Sequence, residues 1–237
     1  MPLKLLPAVA ADAYRVAEIE HAAYAPAAFS RLMFPGPLPD NILELRGAEL
    51  AAELEADATT RWWKVVDTDL GPEDHPRSLI AFAKWHLYEH GALPTKPRSF
   101  GPGTNPEACM ALFGGIDEMR ARLNRDRPFV RTFAPFHRPV ARSLCGVWTK
   151  ADGVAVLRLL HTDPEHQRRG AGRMLMQRLL EDSDRLKLLT FLESSPEGHA
   201  LYLSCGFKDT EELNIDMARF GAEGVHTTYA MERAVPS

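Results

Sequence analysis

Along this chain the apolar positions gather into short runs and helical stripes, and polar, Pro- or Gly-rich stretches separate them. Residues 3–8 read as a first strand, and Asp12 is placed to cap a helix carrying Val16, Ile19 and Ala23. Residues 24–39 hold Tyr24, Phe29, Phe34, Pro35, Gly36 and Pro37 and read as a loop of the kind that carries recognition. Asp40 caps the next helix, with Leu43, Leu50 and Leu54 on one face. Residues 62–66 and 79–87 form two strands, an antiparallel pair across the turn-rich segment 71–77. A loop over 89–104 follows, and then Asn105 and Pro106 open a helix to about Asn124, with Leu112, Phe113, Ile116 and Leu123 on one side. The chain shows no internal repeat.

The segment 157–172, LRLLHTDPEHQRRGAG, carries the most information. It reads as an apolar strand, a polar turn, a basic Gly-containing loop and the start of a helix. In that helix Leu175 and Leu179, like Met176 and Leu180, are spaced i, i+4 and form one buried stripe. Two glycines at the helix start leave backbone N–H groups uncovered, where a phosphate oxygen can approach. Gln167, Arg168 and Arg169 add donors and positive charge, and the helix dipole favours an anion. These features predict a polyphosphate site, most simply a pyrophosphate. Neither G-x-x-x-x-G-K-[ST] nor G-x-G-x-x-G is present, so the nucleotide loops built on those patterns do not apply.

The run Gln167, Arg168, Arg169, Gly170, Ala171, Gly172 resembles the acetyl-CoA pyrophosphate loop of the GNAT superfamily of N-acyltransferases, Q/R-x-x-G-x-G/A. A second segment resembles the same family in the same order. Residues 186–192 read as a buried strand, followed by Ser195 as N-cap and Pro196 at the first helical position. A short helix then carries Tyr202 and ends at Gly206-Phe207. The two motifs span about 50 residues. The resemblance is to small fungal-type GNAT domain proteins. It implies a single α/β domain over residues 1–237, with a mixed central sheet, helices on both faces, and coenzyme A in a V-shaped opening between two parallel strands.

Composition removes other classes. The chain has 237 residues, is 45% hydrophobic and 25% charged, and its 28 Lys+Arg against 32 Asp+Glu leave a net charge of −4. Nothing there points to nucleic acid. No run approaches membrane-spanning length, so no membrane partner is expected. Cys109, Cys145 and Cys205 show neither metal-ligand nor disulfide spacing, which fits a reduced, cytoplasmic setting with no metal. The start, MPLKLLPAVAADA, has an apolar core too short for a signal peptide. Composition says nothing of oligomeric state.

Residues 128–153 stand apart. Between Phe129 and Ala151 lie three Arg, one Lys and one His with no acid, and no helix or strand period. A disordered surface loop, a basic loop contacting ligand, and a retained intron translated into protein are the competing readings. Sequencing the spliced transcript decides the last. The loop and helix over 89–126 read as an insertion relative to a minimal GNAT domain, covering the acceptor side.

The resemblance also implies roles. Tyr202 faces the coenzyme sulfur, and a phenol with a pKa of about 10 can protonate a leaving thiolate with a pKa near about 8.5. The strand 157–162 runs beside the pantetheine arm, with backbone contacts carried to Leu160, His161 and Thr162. The loop contacts are carried to Gln167, Arg168, Arg169, Gly170, Ala171, Gly172 and Arg173. Glu193, in a Leu-Glu pair at the strand end, is the candidate base, with His86 and Glu89 as rivals. His161, Asp163 and His166 fit no standard metal spacing. The expected reaction is direct acetyl transfer from acetyl-CoA to a primary amine in a ternary complex. A small-molecule acceptor suits the aromatic loop and Trp85. A peptide or protein lysine or N-terminus is the alternative, as is a sensor that binds acyl-CoA without catalysis.

Overall fold

The computed structural model describes residues 2–88, 98–123 and 153–235. The expectations for 128–152, Glu89 and Cys145 lie outside them. The strands are β1 (Leu3–Pro7), β2 (Thr60–Asp67), β3 (Leu79–Tyr88), β4 (Val154–Thr162), β5 (Leu189–Ser194), β6 (Lys208–Asp216) and β7 (Val225–Arg233). They form one sheet in the order β1-β2-β3-β4-β5-β7-β6. β4 and β5 pair parallel, and the other described neighbours pair antiparallel. The helices are α1 (Ala13–Tyr24), α2 (Ala28–Met33), α3 (Ile42–Ala56), α4 (Pro106–Cys109), α5 (Gly115–Leu123), α6 (Ala171–Leu186) and α7 (Pro196–Ser204).

Side-chain alternation sorts the core into two faces. On one, Leu175, Met176 and Leu179 of α6, with Tyr202 and Phe207, pack on Ala83, Trp85, Ala155 and Leu157. On the other, α1 and α3 bring Val16, Ile19 and Leu50 onto Leu79 and Phe82. Met119 of α5 meets Tyr88, Val154, Val156 and Phe191 on that same side. The mixed α/β architecture with helices on both faces is as expected.

Several local expectations are revised. Residues 24–39 contain α2, because Phe29 and Met33, spaced i, i+4, bury one face of a helical turn and a half. Asp12 precedes α1, but its carboxylate accepts the Val9 N–H and the Lys64 ammonium rather than helix amides. The helix opened by Asn105, whose side chain accepts from the N–H of Glu107 and Ala108, passes through a π-helical turn, Met110–Gly114, before α5. α6 runs to Leu186, since no Pro or Gly stops it earlier, and Lys187 closes it in the left-handed region at φ 56°. β5 therefore starts at Leu189 and not at Leu186.

Candidate functional site

Two backbone irregularities build the site. β4 and β5 pair over only three residues, Val154↔Leu189 to Val156↔Phe191. Beyond them β5 continues against β7 through Ser194, while β4 continues against β3. The two parallel strands thus part into a V. Just past the vertex, β4 carries a bulge: Lys84 pairs with Leu159 and Trp85 with Leu157, leaving Arg158 as the extra residue.

The far arm of β4 offers backbone donors. The Asp163 N–H donates to the Ile80 carbonyl at 2.8 Å. Two-residue alternation then directs the amides of Leu159 and His161 at β3, and those of Leu160 and Thr162 into the V. The Thr162 carbonyl accepts from Gln167 Nε2 at 3.4 Å, across the turn Pro164–His166.

The loop after that turn feeds α6. Arg168 (φ 63°) and Gly170 (φ 93°) both take left-handed conformations, which curl the chain around the helix start. Gly170 is the N-cap and supplies no side-chain cap, and the first intrahelical amide bond runs from Met174 to the Gly170 carbonyl at 3.1 Å. The amides of Ala171, Gly172 and Arg173 thus lack helix partners. A Cβ at Gly170 would meet nothing within 4 Å, so open space lies before these donors. A Cβ at Gly172 would stand 3.2 Å from Leu201 and 3.6 Å from Leu160, which brings α6, α7 and β4 together there. Arg169 is directed elsewhere: it binds Asp67 Oδ2 at 2.6 Å and His166 Nδ1 at 3.0 Å. Burial pushes the Asp67 carboxyl up, but Arg169 and the Asp69 N–H outweigh it and hold the group below the usual carboxylate range.

Tyr202 is 7% exposed. Its ring lies against Phe207 edge-on, and a Cβ at Gly198 would stand 2.9 Å from its Cε2 and 3.3 Å from Ser194 Oγ. Burial, then the nearby Tyr24, raise its pKa far above that of a free phenol. Tyr24 itself is pushed up to about 12 by burial and Glu20. Its ring meets His161 edge-on at 4.7 Å. Burial pushes His161 down to about 4, so that ring is neutral at pH 7.

Glu193 sits where a base was expected but is held otherwise. Arg120 Nε donates to Oε1 at 2.5 Å and Arg120 Nη2 to Oε2 at 2.7 Å, with Glu193 8% and Arg120 16% exposed. Both carboxylate oxygens are thereby engaged in charge-assisted bonds to one guanidinium. His86, the rival, accepts or donates to Thr59 and Thr60 hydroxyls through Nδ1, and burial with Arg158 and Lys84 pushes it down to about 4.

Sequence reasoning missed Asp67, Arg120 and Arg158, and placed Tyr24 in a recognition loop where it ends α1. Only Arg158 left a signal, a charge inside the apolar run VAVLRLL.

The family model of the acetyltransferase (GNAT) domain matches residues 138–209, a span that includes the V, the loop and Tyr202. Over these residues the chain matches a GNAT domain. Solved structures align with it over nearly all of both chains. An acetyltransferase from Corynebacterium glutamicum, described as histone acetyltransferase HPA2 and related, superposes with a TM-score of 0.53 at 17% identity, covering 100% of this chain and 98% of that one. Arabidopsis thaliana NAA60, solved with a bisubstrate analogue, gives 0.53 at 13% identity, with 98% of each chain covered. The putative acetyltransferase yncA of Salmonella typhimurium, solved with acetyl-CoA, gives 0.52 at 13%, covering 100% and 96%. At these identities the likeness is one of GNAT fold. No curated protein sequence matches the chain. Among the described residues, no cluster of three or more His, Cys, Asp or Glu could hold a metal, and no helix is long and apolar enough to cross a membrane.

Proposed function

We propose that this GNAT protein transfers an acetyl group from acetyl-CoA to the primary amine of a small molecule, by direct attack in a ternary complex. The observation that carries this is the V past Val156↔Phe191, which has uncapped α6 amides at one end and the buried, protonated phenol of Tyr202 beside it. Bound acetyl-CoA would supply the activated thioester. The amides of Ala171, Gly172 and Arg173 suit its pyrophosphate, with Arg168 adding charge and Arg169 fixing the loop through Asp67. The amides of Leu160 and Thr162 suit the carbonyl oxygen as negative charge grows there.

In this reaction the amine nitrogen forms a bond to the carbonyl carbon as the C–S bond breaks. The amine loses one proton, and the thiolate gains one from Tyr202, whose raised pKa keeps its proton in place until sulfur needs it. The phenol recovers a proton from water. Glu193 is assigned to Arg120 and not to the base role, and ordered water suffices to take the amine proton. A small acceptor is favoured by the aromatic pair of Tyr24 and His161 beside the far arm of β4. The free cysteines Cys109 and Cys205 fit a cytoplasmic setting.

Acetyl-CoA binding by calorimetry tests the coenzyme site, on the wild type, Gly170→Ala and Gly170→Glu. Both variants carry the same φ penalty of about 1–2 kcal/mol, but only the glutamate puts a like charge before the phosphates. Binding kept by Gly170→Ala and lost by Gly170→Glu supports the reading, and no binding by the wild type overturns it. Tyr202→Phe is expected to lower kcat by about 10²-fold or more with coenzyme affinity retained. Unchanged kcat removes Tyr202 from the mechanism.

A further inference from the structure

Between two apolar clusters, the sheet face beneath α3 and α5 holds a buried polar strip. β3 directs Phe82, Lys84, His86 and Tyr88 to that side, and Lys84 and His86 are only 5% and 4% exposed. Each has partners. Lys84 Nζ binds Glu53 Oε2 at 2.6 Å. His86 lies 3.3 Å from Asp57 Oδ2 and stacks on Tyr88 at 5.6 Å. Across the V, Glu193 is taken by Arg120, which also reaches Asp117 at 3.4 Å.

Arg158 is the exception. Alternation from Val154 and Val156 puts it on this same face, two residues past the last β4–β5 pair, and the bulge brings Leu159 to that side beside it. It lies within electrostatic reach of Arg120, Glu193, Tyr88 and Asp117, yet no described residue gives it an ion pair or hydrogen bond. Burial, then Arg120, pull its pKa below the ordinary guanidinium value, so its own surroundings disfavour the charge they enclose. A half-buried guanidinium is costly unless an anion answers it. The coenzyme phosphates are poorly placed to do so, because four residues of strand, about 13 Å, separate Arg158 from Thr162 and the loop beyond.

We propose that Arg158 receives a carboxylate of the acceptor, so that the substrate is a small amino acid-like amine carrying an acid group. This rests on the acetyltransferase reading above and deepens it. The planar fork of Arg matches a carboxylate at two points, and Glu53, Asp57 and Glu193 each already hold another partner, leaving the vertex cation for the ligand. A protein lysine brings an amine but no neighbouring carboxylate, and such acceptors are disfavoured.

The test pairs L-amino acids with their carboxamides as acceptors, following coenzyme A release by the full-length protein, after acetyl-CoA binding has been measured by calorimetry. The acid is expected to exceed its amide by about 10- to 100-fold in kcat/KM, mostly through KM. In Arg158→Gln acid and amide should turn over alike, and Arg158→Lys should restore part of the preference. Thermal melting and acetyl-CoA affinity of both variants guard against a folding defect. If Arg158→Gln fails to fold, the wild-type ratio and Arg158→Lys decide. A wild-type ratio near one, a preference that survives Arg158→Gln, or turnover of no acid while acetyl-CoA binds, overturns the proposal and leaves the coenzyme site standing. Failure to bind acetyl-CoA overturns the acetyltransferase reading itself.

Discussion

Glu193→Gln separates a structural carboxylate from a catalytic one. The side chain is 8% exposed and takes two charge-assisted bonds from Arg120, at 2.5 and 2.7 Å. Gln keeps one acceptor but turns an amide NH₂ toward the guanidinium, and leaves Arg120 beside Arg158 without its main counter-charge. Breaking one side of a buried pair costs about 3–5 kcal/mol, and the retained acceptor argues for the lower end, about 3 kcal/mol. For a chain of this length that is a fall in Tm of about 6–12 °C. Arg120→Met alone should cost a similar amount, while Arg120→Met with Glu193→Leu should cost less than the sum by about 2 kcal/mol, because two apolar chains leave no orphaned charge. Scanning calorimetry on the four proteins closes the cycle. Activity below the lower Tm supplies the second readout, where Glu193→Gln should retain kcat within about ten-fold. A Glu193→Gln protein that melts like the wild type but has lost about 10³-fold in kcat would refute this reasoning and return the carboxylate to the base role.

Two further outcomes follow from the loop and the buried rings. Asp67→Asn should weaken acetyl-CoA binding by about five-fold, since Arg169 loses the charge that orients it and the loop (about 1 kcal/mol); calorimetry showing equal or tighter binding would remove Asp67 from the site. His161 is held near 4 when folded and returns to about 6.5 when unfolded, so between those values the unfolded chain binds more protons. Its contribution is therefore complete above about pH 6.5 and is lost as pH falls toward 4, at up to about 1.4 kcal/mol per pH unit. His86 acts in the same sense and window. In urea titrations at stepped pH, His161→Phe should flatten the slope by nearly one proton, and an unaltered slope would show that the ring is solvated in the folded state.

The parts legible in the sequence were those whose causes are local. The stripe of Leu175, Met176 and Leu179 needs only helical spacing, and all three are buried. Gly170 announces its conformation by lacking a side chain, and it adopts φ 93°. Phe29 and Met33 misled because flanking prolines outweighed one turn of periodicity, and burial against Ala108, Cys109 and Ile215 then settled the helix. The end of α6 misled because Lys187 in the left-handed region is a position that glycine usually marks. What stayed hidden depends on pairs far apart in the chain. Arg120 and Glu193 are 73 residues apart, and Asp67 and Arg169 are 102 apart, so no window contains both partners. Glu193 read as a free strand-end carboxylate because its partner lay on a helix that the sequence assigned only to covering the acceptor side.

The bulge at Arg158 joins the two halves of the site into one argument. Without it, strict alternation along β4 would keep residue 158 in step with Val154 and Val156, and Leu159 would face α6 with Ala155 and Leu157. With it, Arg158 and Leu159 share the α3 and α5 side, and Leu160 returns to the α6 side, where it meets Gly172. The extra residue therefore sets the contact that locates the helix start, while the alternation before it sets the face of the cation near the vertex. Arg158 stands about 13 Å along the strand from Thr162, and the uncapped α6 amides follow beyond that end. The Leu160 and Thr162 amides lie along that length. A molecule with phosphates at one end and an acid-bearing amine meeting it from the other would have its reacting carbon held in that interval. The deletion of Arg158, which restores the alternation, is then expected to damage coenzyme and acceptor recognition together, whereas Arg158→Gln, which keeps the bulge, damages only the second.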